Sequence, residues 1–308
     1  MLALDFSQKS LDVQRNVVIE EFKQRYFNNP YGDIWLKLRP LAYKVHPYQW
    51  PTIGKNIDHI AGASLEEVED FFHRFYAPDN AILSISGNIT DEKALELVKK
   101  WFGDIPPAHY TRKALPMEPQ QTEERRLVCE HNKVPADAIY KVYHMGDRRS
   151  DNFYTCDTIS DILSNGQSSR LYINLIKNGK LFSEVDAYIT GDMDPGLFIF
   201  SGKLSEGVAI EEAEVAIQNE INRFIEDPIS ERELQKVINK TEARISYSEI
   251  NYQGKSANLA FFDYLGDINL INSESNRYAE VSLDSIKQTA RELFSTKNCS
   301  TLWYLKDK

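Results

Sequence analysis

Cysteine is scarce. Cys129, Cys156 and Cys299 are the only three in 308 residues, and no two form a C-x-x-C. An odd, scattered set builds no disulfide framework, and a thiolate zinc site needs closer pairs, so these thiols read as small buried apolar residues. No apolar run approaches the roughly 18 residues needed to cross a bilayer, so no membrane span is expected. Basic charge is in deficit, and the net charge of −10 argues against a nucleic-acid partner, which would need a basic face. No serine stands in a G-x-S-x-G and no glycine-rich phosphate loop occurs, which leaves covalent catalysis and nucleotide binding without support. The opening Met1-Leu-Ala-Leu-Asp-Phe-Ser7 lacks the basic stretch and apolar core of a secretory signal. Compartment stays open between cytoplasm and periplasm.

What is present is the balance of a globular protein, 42% apolar and 27% charged, in a length that suits two domains of about 150 residues. Helical spacing of Leu11, Val17, Val18, Phe22 and Tyr26 predicts a helix from Ser10 to about Asn28. Residues 31–63 read as a long irregular stretch rich in proline and aromatics. Ser64-Leu-Glu-Glu67 is a capping box opening a helix to about Tyr76. Ala81-Ile-Leu-Ser-Ile-Ser86 reads as a strand, and Thr90 caps a helix to about Phe102. The polar, proline-bearing stretch 109–125 reads as a linker. Beyond it, strands are expected at 126–130, 138–145, 184–190 and 196–203. Helices are expected near 150–164, 168–178, 207–226 and 230–250, with a helix–strand pair at 282–305. Strands and helices mix without strict alternation, so the class is α+β.

The chain also repeats itself. Ser64-Leu-Glu-Glu-Val-Glu-Asp-Phe-Phe-His-Arg-Phe-Tyr76 aligns without gaps to Ser282-Leu-Asp-Ser-Ile-Lys-Gln-Thr-Ala-Arg-Glu-Leu-Phe294, an offset of 218. Asn80 then matches Asn298, each directly before a strand-like run. Any two capped amphipathic helices look alike, but the shared asparagine and strand hold register, which favours a true repeat. The division expected is a first domain at 1–108, the linker at 109–125 and a second domain at 126–308. Carried back by the offset, the second domain's start has its counterpart about 90 residues before Met1. The first domain is therefore expected to lack its opening half, with Met1 an internal position.

Five motifs, each weak alone, occur in series: Arg15-Asn-Val-Val-Ile-Glu-Glu21; His46-Pro-Tyr48 with Pro51-Thr-Ile-Gly54; Phe75-Tyr-Ala-Pro-Asp-Asn80 and the run to Gly87; Trp101-Phe-Gly-Asp-Ile-Pro106; and Gly166-Gln-Ser-Ser-Arg-Leu171. In this order they resemble the pitrilysin/insulinase family of zinc peptidases, especially its mitochondrial-processing-peptidase-like branch. The resemblance implies two homologous α+β domains, each a mostly antiparallel sheet with helices on one face. Together they would form half of a clam-shell peptidase, with the other half in cis or as a separate subunit. It implies that Glu21 is the third zinc ligand of the complete protein.

The family's H-x-x-E-H, which supplies two histidine ligands and the general base, is absent. Histidines 46, 59, 73, 109, 131 and 144 all follow Glu21, and none fits it. A Glu often found seven residues before the ligand is Gln14 here. The Arg/Tyr pair of the family's silent half is replaced by Ile176 and Ser183, which fits the catalytic half.

Zinc hydrolysis needs three protein ligands, an open position for water and a base. One carboxylate cannot hold zinc at useful affinity, so no catalytic residue and no bound zinc are expected in this chain alone. The substrate-binding residues are not legible. On spacing alone Glu20 and Glu21 are ordinary surface acids, and His46 reads as packing against Tyr48 and Trp50. The expectation is an inactive fragment of the catalytic half of a zinc metalloendopeptidase acting on peptides or unfolded segments. The alternative is a non-catalytic scaffold or partner subunit.

Overall fold

The computed structural model describes residues 4–111, 113–131 and 134–307. Among these the helices are α1 (Gln8–Phe22), α2 (Ile34–Ala42), α3 (Ile57–Ala61), α4 (Leu65–Phe75), α5 (Asp91–Phe102), α6 (Phe153–Ser164), α7 (Ile210–Glu226), α8 (Glu231–Ser248), α9 (Tyr252–Tyr264), α10 (Leu270–Ala279) and α11 (Leu283–Leu293). The strands are β1 (Arg125–His131), β2 (Ala138–His144), β3 (Phe182–Ile189), β4 (Leu197–Leu204) and β5 (Cys299–Lys306). The α+β class is thus observed. The chain forms two compact units, each from three segments. One holds Met1–Asn29, Trp50–Leu115 and Ile245–Ser273; the other holds Pro30–Gln49, Pro116–Arg244 and Glu274–Lys308.

The second unit is built on a five-stranded sheet of order β1-β5-β2-β4-β3. Its pairs are antiparallel except β1 with β5. The run Leu197-Phe-Ile-Phe200 is apolar on both sides, and all four residues are buried, as a strand covered on two faces requires. On one face Tyr143, Phe198 and Phe200 meet the ring of Phe294 at 5.1–5.4 Å, just past α11. On the other, Ile34, Leu38 and Ala42 of α2 pack among Val142, Leu197, Ile199, Leu302 and Tyr304. The opposite face is therefore helix-covered too. The residues expected to be irregular at 31–63 include this helix, hidden in the sequence by Pro40 within its last turns.

The first unit is mostly helical. Ser7 caps α1 through its side chain, and the helix widens into a π-type turn at Lys23–Phe27, so its end agrees with the sequence pattern within a few residues. The repeat is visible in three dimensions. Ser64 and Ser282 both form capping boxes, and α4 and α11 have the same length at the 218-residue offset. Each is followed by a 3-10 turn, Pro78–Asn80 and Thr296–Asn298. Asn80 donates its carboxamide to Phe75 O at 2.9 Å, and Asn298 to Leu293 O at 3.0 Å. The two copies diverge next. β5 is the middle of three paired strands, whereas Ala81–Ser86, expected as a strand, pairs with no strand among the described residues. A strand needs a neighbour to satisfy its backbone, and among the described residues none pairs with it.

Candidate functional site

Helix α1 carries the motif Arg15–Glu21, and its residues divide by role. Leu11 and Phe22 are buried. Arg15 reaches the carbonyl of Ala63, just before α4, through Nε at 2.9 Å and Nη2 at 2.6 Å. That fork ties two helices of the first unit together, and lysine could not reproduce it. Glu20 pairs with Lys23 at 2.7 Å and Glu21 with Arg25 at 2.9 Å. The Glu21 side chain is half exposed. It is available to a ligand, but its surroundings do not set it apart from Glu20.

Beside α1 lies an open cavity of about 670 Å³, walled by Leu11, Gln14 and Val18 on one side and Ile60, Val68 and Phe71 on the other. Gln14 lines it and Glu21 does not. Gly54 also lines it at φ +135°, a backbone conformation that side chains rarely adopt, and a Cβ there would press on Ile60 at 3.1 Å, which accounts for the glycine of Pro51-Thr-Ile-Gly54. His59 borders the cavity, and both it and His73 are exposed.

His46, in the second unit, is buried and structural. Its Nδ1 accepts the Tyr48 N–H at 3.1 Å, and its ring lies edge-on to Tyr48 at 4.3 Å. Nε2 stands 3.3 Å from Asp194 Oδ2, but without hydrogen-bond geometry. The backbone N–H groups of Lys44, Val45 and His46 converge on the Glu118 carboxylate at 2.7–2.9 Å. Burial pushes the Glu118 pKa up, but those three donors outweigh it and hold the carboxyl below its usual range. Nothing in the sequence pattern marked Glu118.

Gly166–Leu171 is structural as well. Gly166 adopts φ +94°, Leu171 is fully buried, and Arg170 pairs with Glu233 at 2.9 Å over the ring of Phe224.

The residues present do not make a zinc site by themselves. Among the described residues no group of three or more His, Cys, Asp or Glu could hold a metal ion. Glu21 supplies one carboxylate where three ligands are needed, and its recorded partner among the described residues is Arg25.

A five-stranded sheet of this order with repeated capped helices defines an α+β protein built on an internal repeat. The family described as "Peptidase M16 inactive domain" matches residues 62–241, and the chain belongs to this family of pitrilysin-type peptidases. It is 26% identical over 312 residues to the zinc protease PqqE of Helicobacter pylori, covering 98% of this chain and 68% of that protein. It is 23% identical over 298 residues to the uncharacterized zinc protease YmxG of Bacillus subtilis, covering 94% and 69%. Among solved structures, a protease from Helicobacter pylori superposes with a TM-score of 0.90 at 23% identity, covering 98% of this chain and 73% of that one. A peptidase M16 inactive domain from Pseudomonas fluorescens gives 0.86 at 14% identity, covering 99% and 71%. At these identities the structural likeness concerns the fold.

Proposed function

We propose that this chain is a non-catalytic portion of a zinc metalloendopeptidase's catalytic half. In this reading α1 presents Glu21 as the third zinc ligand, and polypeptide outside these residues provides the two histidines and the general base. The substrates are peptides or unfolded segments, and a second peptidase half, in cis or as a separate subunit, closes over them. The observation that carries the reading is Glu21 itself: a half-exposed carboxylate in the Arg15–Glu21 motif, held only by Arg25 on a helix that Arg15 anchors. The zinc-protease names of the relatives support it.

A second reading, a scaffold or partner subunit with no metal role, draws on the family's description as an inactive domain. The two readings agree that the isolated chain is inert and differ over Glu21.

The purified 308-residue chain should bind zinc far below stoichiometry by calorimetry and leave denatured casein uncut. Stoichiometric zinc with turnover would overturn both readings. Glu21→Gln separates them in an assembly that does bind zinc. A large loss of metal affinity supports the ligand role, and unchanged affinity supports the scaffold.

A further inference from the structure

The chain returns to the second unit at Pro116 and runs to Gln121 as a strap across that unit. Its one charged side chain, Glu118, is caught by three consecutive amides. Oε1 accepts the Lys44 N–H at 2.7 Å, and Oε2 accepts those of Val45 at 2.8 Å and His46 at 2.9 Å. Successive backbone N–H groups that converge in this way form an anion cradle. Lys44 lies close to Arg125 as well as to Glu118, which adds positive charge beside it.

The cradle has supports of its own. Lys44 Nζ donates to Pro40 O at 2.7 Å, Arg125 to Leu41 O and Ala42 O, and Arg39 to Tyr48 O at 3.1 Å. The ring of His144 contacts Ala42 O through Nε2 at 3.0 Å. The strap is held differently. Its far end is fixed by buried Gln121, which donates to Cys299 O at 2.7 Å and accepts from the Ser300 hydroxyl at 3.1 Å. From Pro116 to Gln120 the hydrogen bonds found among the described residues are those that Glu118 accepts. Pro116 and Pro119 have no N–H to donate, and Met117 is 65% exposed. The strap also forms a wall of a cavity of about 620 Å³, with Glu118–Thr122 on one side and His144, Met145, Pro195 and Asn298 among the rest of its lining. That volume suits a small-molecule site.

We propose that the strap is a latch. Glu118 occupies in cis a preformed carboxylate cradle at the edge of this cavity, and its release opens the cavity and offers the cradle to a small carboxylate ligand. Neither Glu21 nor a metal takes part, so the outcome is separate from that of the zinc reading.

Glu118→Ala empties the cradle, and the test uses this variant of the 308-residue chain with acetate as probe. Chymotrypsin should cut after Leu115 or Met117 at least about tenfold faster than in the native protein. Hydrogen exchange at Lys44–His46, read by mass spectrometry, should quicken as well. Sodium acetate should slow those amides again without restoring resistance to cutting, and sodium chloride at equal strength should not. Glu118→Gln keeps the size and loses the charge, so it guards against a misfolded alanine variant. It should be cut at an intermediate rate, with β2 and β4 exchanging as in the native protein. Native resistance to cutting in both variants overturns the latch. Amides that stay fast in acetate, or that chloride slows equally, overturn the cradle. Faster exchange of β2 and β4 in both variants would make Glu118 a general stabiliser and overturn the proposal too.

Discussion

The hydroxyl of Tyr304, on the interior strand β5, donates a hydrogen bond to the Asp33 carboxylate across 271 positions of sequence. Asp33 directly precedes α2 and also pairs with Lys37 on its first turn. One carboxylate thus fastens a helix start to a strand in the second unit. Burial raises the Tyr304 pKa, and the hydrogen bond to Asp33 raises it further, so the phenol stays protonated and donates at any ordinary pH.

Tyr304→Phe removes that donor while keeping the buried ring among Leu38, Val142 and Leu302. A hydrogen bond to a charged group contributes roughly 1.5–3 kcal/mol. Lys37 still partners Asp33, so the loss should lie at about 1–2 kcal/mol. Urea unfolding followed by circular dichroism should show a lower midpoint with an unchanged slope. An unchanged midpoint would mean α2 is held by packing alone.

Acid should loosen the second unit at Glu214. Burial by itself would raise this carboxyl's pKa. Hydrogen bonds from Arg126 at 2.7 and 2.8 Å, and from Lys141 at 3.1 Å, win and hold it at about 2, down from 4.5. A folded pKa below the unfolded value gives stability that is complete above about pH 4.5 and fades as pH falls toward 2. Allowing for solvent screening, the contribution is on the order of 1–2 kcal/mol. Unfolding free energy measured between pH 6 and 2.5, at roughly half-unit steps, should slope more steeply in the native protein than in Glu214→Gln. Parallel slopes would assign the acid lability to other carboxylates such as Glu233, which its partner Arg170 and the Ser230 N–H also hold at about 2 against burial.

Gly202 shows how closely β4 approaches its neighbour. A Cβ there would lie 2.5 and 2.6 Å from ring carbons of Phe182, whose side chain is fully buried and cannot swing away. Gly202→Ala should therefore destabilise by about 1–3 kcal/mol through overpacking. Pairing it with Phe182→Leu should recover part of the loss in a double-mutant cycle. Additive losses would show that the clash is relieved elsewhere.

Local chemistry was the legible part of the fold. The capping boxes at Ser64 and Ser282, the apolar runs of β2 and β4, and the 218-residue repeat all rest on interactions within a few residues or on identity between copies. Three kinds of feature were not. α2 contains Pro40, so helix propensity argued against it until its apolar face met a sheet. α9 and α10 carry weak amphipathic signals, with one buried residue each, Phe262 and Tyr278. Ala81–Ser86 has strand composition, yet a strand exists only through a partner, and composition does not say whether one is there. Arg15, which ties α1 to Ala63, lies in a motif readable in the sequence, while the ligand role expected of Glu21 is a proposal. Glu118 was not legible, because an acceptor for three N–H groups has no local signature in sequence.

Arg15→Lys tests the anchor of α1. The two bonds to Ala63 O come from one planar guanidinium whose side chain is 23% exposed, and an ammonium can replace one of them at best. A loss of about 1 kcal/mol is expected, with faster exchange at the α1 amides and little change in β2 and β4. If exchange quickens uniformly instead, α1 is not a separate cooperative element.

Glu21→Gln separates a reserved ligand from a structural residue without any metal. The carboxylate is half exposed and its one ion pair, with Arg25, is an i,i+4 surface contact, the kind that contributes about 0.3–0.5 kcal/mol. A residue kept for packing would resist replacement; one kept for a metal supplied elsewhere would not. The substitution should shift thermal unfolding by no more than its Glu20→Gln counterpart, since both acids sit on the same exposed stretch of helix. A loss above about 2 kcal/mol at Glu21 alone would assign it a structural duty. The placement of Glu21 on α1 would then need no zinc to explain it.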